Sequence, residues 1–83
     1  MAVTTTDHKA IRKWAEARGG KPARVKGTGD SKDPGLLRLD FGEPEEGLEP
    51  ITWEEFFDKF EDSNLALLYE DEPDNRFSKL VRR

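Results

Sequence analysis

Cysteine is absent from the 83 residues, so neither a disulfide framework nor a thiolate-held metal can form, and nothing argues for an oxidising compartment. Histidine is almost as scarce, with His8 the only one. Nucleophilic catalysis needs a nucleophile, a base and an orienting group converging on one point. With no thiol, one imidazole, and Ser31, Ser63 and Ser78 all in expected loops or the tail, the chain reads as non-enzymatic. Long apolar runs are also missing. The opening MAVTTTDHK lacks the apolar stretch of a signal peptide, and no run approaches the roughly 20 residues of a membrane span. A cytoplasmic setting without membrane association is the expectation.

Aliphatic and aromatic bulk is in short supply. Leu, Ile, Val and Phe make up 18 of the 83 residues, just above the level of roughly 20% below which charged chains stay disordered. One domain spanning residues 1–83 is expected, with an ordered core over about 5–70 and a flexible tail over 71–83. A core this small supports a fold but hardly a deep cleft as well.

Charge is plentiful and unevenly placed. The net charge is −4, yet residues 1–39 carry nine Lys/Arg against four Asp/Glu, and residues 40–83 carry five against fourteen. Such a dipolar chain either pairs its halves on folding or shows a basic surface to one partner and an acidic surface to another.

Periodicity divides the chain into five elements. In DHKAIRKWAEAR, Ile11, Trp14, Ala15 and Arg18 share one face and Gly19 supplies a stop, which predicts a helix over about 7–18. The stretch ARVK alternates, with Ala23 and Val25 on one side and Arg24 and Lys26 on the other, and reads as a short strand. The polar run GTGDSKDPG, residues 27–35, is expected to be a mobile hairpin loop. In LLRLDF, Leu37, Leu39 and Phe41 face inward while Leu36, Arg38 and Asp40 face outward. A second polar loop, GEPEEGLEP, precedes a helix over about 53–62, marked by a capping box of Thr52 and Glu55 and by Ile51 placed to staple onto Phe56. Its stripe is Trp53, Phe56, Phe57 and Phe60. The strand LALLY has both faces apolar, and the tail residues Phe77, Leu80 and Val81 are available to fold back over Leu68 and Leu36. The order α-β-β-α-β predicts an α+β domain: a three-stranded sheet with two helices packed on one face.

Motifs that carry chemistry are weak throughout. His8 reads as an exposed residue of the first helical turn. Glu54 and Asp58 lie on the wet face of the second helix. The run Glu70 to Asn75 lacks the glycine and the closing glutamate of a calcium loop, so no metal is expected. Gly27, Thr28 and Gly29 lack phosphate-loop spacing and no helix follows them directly, so no cofactor is expected either.

The segments TTDHKAIRKWAEARGGKPARVKGTGD, DPGLLRLDF and ITWEEFFDKFEDSNLALLYED together resemble a family of small bacterial proteins of unknown function. The likeness covers roughly residues 5–70, and WAEARGGKPA and FFDKFEDSNLALLY are its distinctive blocks. Members of that family are sometimes labelled 1,4-alpha-glucan branching enzyme. That activity requires a (β/α)₈ barrel of about 250 residues, which this chain cannot build. The resemblance implies a bacterial cytosolic setting and brings no site residues. A glucan-binding role through exposed aromatics would need Trp14 or Trp53, and both sit on expected core faces.

Two functional readings follow. The first is a small binding or adaptor module recognising a protein partner through the outer sheet face, with Leu36, Arg38, Leu68, Arg24 and Lys26, or through the acidic C-terminal half. The alternative is a nucleic-acid-associated protein using Arg12, Lys13, Arg24, Lys26 and Arg38, although a pI near 5.0 is far from the usual basic profile. Either way the chain is expected to be a monomer or a weak homodimer.

Overall fold

The computed structural model describes residues 1–29, 35–42 and 47–83. In chain order these form β1 (Ala2–Thr5), α1 (His8–Ala17), β2 (Lys21–Val25), β3 (Leu37–Asp40), β4 (Leu48–Pro50), α2 (Trp53–Asp62), β5 (Leu65–Glu70) and β6 (Ser78–Arg82). The Cα radius of gyration is 12.1 Å, close to the roughly 12 Å expected of a compact domain of this length.

Local chemistry sets the helix ends. The carboxylate of Asp7 accepts from the Lys9 amide and starts α1. At its other end Gly19, at φ +75°, lets its own amide reach the Glu16 carbonyl and the Gly20 amide reach that of Ala15, a Schellman stop. Helix α2 begins at the expected capping box, with Thr52 Oγ1 accepting from the Glu55 amide at 3.1 Å and Glu55 reaching back to the Thr52 amide. It ends where Asn64 takes a left-handed turn at φ 55°, so that β5 follows after two residues.

The expected single sheet is corrected to two. Each has three antiparallel strands, in the orders β1-β5-β6 and β3-β2-β4. Strands β2 and β5 are each central, with both edges occupied, so they cannot share a ladder. The strands that occupy those edges are short and polar: β1 and β4 were not expected as strands at all, and β6 lies in the expected tail. Residues 78–82 therefore run beside β5, with Val81 opposite Ala66 and Leu80 opposite Leu67, instead of lying across Leu68 and Leu36. Leu36 is left 60% exposed and Phe77 48% exposed. The expected loops fall partly outside the described residues, at 30–34 and 43–46.

Register also corrects which side chains of β2 and β3 share a face. Directly opposed residues in an antiparallel pair point the same way, and a shift of one residue inverts the pattern. Arg24 lies opposite Leu37, and Ala23 lies opposite Arg38. Arg24 is therefore on the leucine side, whereas Arg38 and Ala23 are on the other.

One core serves both sheets. Ile11, Trp14 and Ala15 of α1, Phe56 and Phe60 of α2, Leu37 of β3 and Leu67 of β5 form a single buried cluster. Ala23 and Ala66 are buried but stand apart from it.

Candidate functional site

Strands β3 and β6 lie close to one another where the two sheets meet. Each strand ends its sheet, so each has one edge with no ladder among the described residues. In antiparallel pairs, residues whose main chain bonds across the ladder alternate with residues whose main chain points away. On β3 the amide of Val25 donates to the Leu36 carbonyl at 2.9 Å, which fixes the phase. Arg38 and Asp40 then bond toward β2, and the peptide groups of Leu37 and Leu39 point to the open edge. On β6 the Glu70 amide donates to the Phe77 carbonyl and the Arg83 amide to the Asn64 carbonyl. Lys79 and Val81 thus bond toward β5, and the peptide groups of Ser78, Leu80 and Arg82 point outward.

Between these edges lies a cleft of about 650 Å³, within the range of about 300–1,000 Å³ typical of ligand sites. The space lies between the two sheets and is not a hollow in the core. Six leucines line it, at positions 36, 37, 39, 65, 67 and 80. Around them stand Arg38, Lys59, Lys79 and Arg82, and the described lining holds no carboxylate and no imidazole. Such a concentration of cations is notable on a chain of net charge −4. Among the described residues Arg38, Lys79 and Arg82 have neither an ion pair nor a side-chain hydrogen bond. Such a cleft has an apolar floor and a positive rim.

Thr28 shapes one end. Its hydroxyl donates to the Val25 carbonyl and accepts from the Leu36 amide at 3.0 Å, which holds the start of β3 against the end of β2. A Cβ on Gly35, at φ +85°, would overlap Thr28.

A second polar cluster sits elsewhere, on α1, α2 and the C-terminal residue. The ring of His8 stacks on Phe57 with centroids 4.2 Å apart and donates from Nε2 to Glu61 Oε2 at 2.8 Å. Arg83 donates to the same carboxylate oxygen. The hydrogen bond from His8, then that from Arg83, hold the Glu61 carboxyl below the usual glutamate range. No nucleophile accompanies the dyad in these contacts, and His8 is 41% exposed. Among the described residues no three His, Asp or Glu side chains come together as a metal site.

The residues singled out in the sequence are dispersed by the fold. Leu36 and Arg38 line the cleft. Leu68 is on the outer face of the other sheet, opposite Thr4 and Lys79. Arg24 pairs with Glu49 at 2.8 Å, Arg12 bonds Glu16 within α1, and Lys13 and Lys26 are exposed. Trp14 is 7% exposed, and its indole donates to the Glu70 carbonyl at 2.8 Å. Missed in the sequence as cleft residues were Lys59, Lys79 and Arg82, whereas Leu80 was expected to cover Leu68 and Leu36. The stretch SKLVR shows no apolar–polar alternation, and its charges fit an edge strand guarded by charge. Comparison with protein-family models, with curated proteins and with solved structures found no match.

Proposed function

We propose that this chain is a small non-enzymatic binding module that recognises a protein partner through the cleft between β3 and β6. The observation that carries this reading is the pairing of six leucines with Arg38, Lys79 and Arg82, and no carboxylate in the described lining, between two strand edges that lack a ladder among the described residues. Hydroxyls and cations suit the holding of an anionic, partly apolar surface better than the moving of protons. The nucleic-acid reading has less support, because Arg12 and Arg24 are paired with carboxylates and Arg24 and Arg38 stand on opposite faces of one sheet.

The test is a tagged pull-down from bacterial lysate with and without nuclease, comparing the wild type with Arg38→Glu/Lys79→Glu and with Leu68→Lys. A stoichiometric protein retained by the wild type and by Leu68→Lys after nuclease, but lost from the double variant, is the expected result. Retention by all three chains would remove the cleft as the site. Recovery of nucleic acid alone would favour the other reading.

A further inference from the structure

Resting on the reading of the cleft as a protein-binding site, we infer that its occupant is an extended acidic segment of the partner, which adds as a strand to the free edge of β3 and follows an apolar–acidic–apolar pattern. Three independent features converge on this occupant. The first is the main chain. Leu37 and Leu39 present their N–H and C=O groups to the cleft without a ladder partner among the described residues, a template for β-augmentation. Strand β6 borders the same space with the peptide groups of Ser78, Leu80 and Arg82.

The second feature is the alternation along β3. A residue opposite Leu37 or Leu39 in an added strand shares their face and meets the leucine floor. The residue between them lies opposite Arg38 and shares its face. Arg38 is exposed and lacks an ion-pair partner among the described residues. The third feature is charge: the described lining carries cations only, so an acidic segment is attracted and a basic one repelled. A nucleic acid would use the same cations, but it would leave the two strand edges without partners.

The test uses the full chain, labelled with ¹⁵N, and the blocked heptapeptide Ser-Glu-Val-Glu-Val-Glu-Ser as probe. Binding is read from amide chemical shifts. The expected result is saturable shifts concentrated on residues 36–39 and 78–82, weakened on raising salt and absent with a Ser-Lys-Val-Lys-Val-Lys-Ser control. Arg38→Glu should weaken the acidic peptide by about tenfold, as expected for exchanging an attractive for a repulsive contact. N-methylation distinguishes strand addition from other modes, because only alternate amides of an added strand face its neighbour. Methylating the valine amides or the glutamate amides, but not both, should weaken binding by about tenfold or more.

Equal tolerance of both methylated sets would overturn strand addition. So would shifts that move on dilution of the chain alone, which would make a second copy the occupant. Failure of every peptide, while the pull-down still yields a protein dependent on Arg38 and Lys79, would overturn this inference and leave the binding-module reading standing. Failure of both experiments would remove both. Cleft shifts produced by an oligothymidylate but not by the acidic peptide would also overturn it.

Discussion

Gly19 and Gly20 illustrate how two identical neighbours serve different ends. Gly19 needs its positive φ, and a Cβ there meets nothing within 4 Å. A Cβ on the buried Gly20 would lie 2.8 Å from Cε1 of Phe41 and 3.0 Å from the Ala15 carbonyl oxygen. Gly19→Ala should therefore cost about 1–2 kcal/mol through backbone strain. Gly20→Ala should cost about 1–3 kcal/mol through overpacking. Urea denaturation gives both losses, and trimming Phe41 to Leu should recover part of the second and none of the first. The carboxylate of Glu61 supplies a separate, pH-dependent effect. Its folded-state pKa lies below its unfolded value, so its contribution is present above the ordinary glutamate range and is lost as pH falls through the depressed value. Glu61→Gln should flatten that part of the acid limb of a stability–pH curve and leave the limb above neutrality unchanged.

Among the elements, α2 is the one whose local chemistry is most complete. Thr52→Ala removes the cap that Thr52 and Glu55 share and should lower stability by about 1 kcal/mol, read as a shift in the urea midpoint at unchanged slope. The same completeness made α2 legible in the sequence, where the expected span of 53–62 is the one observed. Helix α1 was equally plain, because Ile11, Trp14 and Ala15 repeat at the right spacing and Gly19 follows. The short strands were another matter. AVTT, LEP and SKLVR contain too few apolar residues to show a period, and each becomes a strand only because a central strand offers it an edge. Local alternation likewise placed Arg24 opposite in sense to the register, since it cannot report what a strand is paired with. The cleft was illegible for the same reason: its walls, β3 and β6, are distant in sequence, and its cations come from both the basic and the acidic half.

At the scale of the whole molecule, the two halves of the chain partly neutralise each other, as the Arg24–Glu49 contact shows. Arg38, Lys79 and Arg82, from both halves, stand around one cleft. Arg18 ties the helical side to the connection between β5 and β6, stacking over Trp14 and donating to the carbonyls of Glu72 and Asn75.

The arrangement of the β1-β5-β6 sheet also orders events in time. Strands β2, β3 and β4 find one another within a short stretch of chain, and β5 and β6 are joined by a single connection. Only β1 waits, because Thr5 pairs with Leu67 and Val3 with Tyr69. Strand β1 thus waits for a partner far along the chain, and closing so long a loop is the slow entropic step. In refolding followed by pulsed hydrogen exchange, the amides of Val3 and Thr5 are expected to gain protection after those of β2 and β5. Simultaneous protection would mean that the two sheets assemble as one cooperative unit.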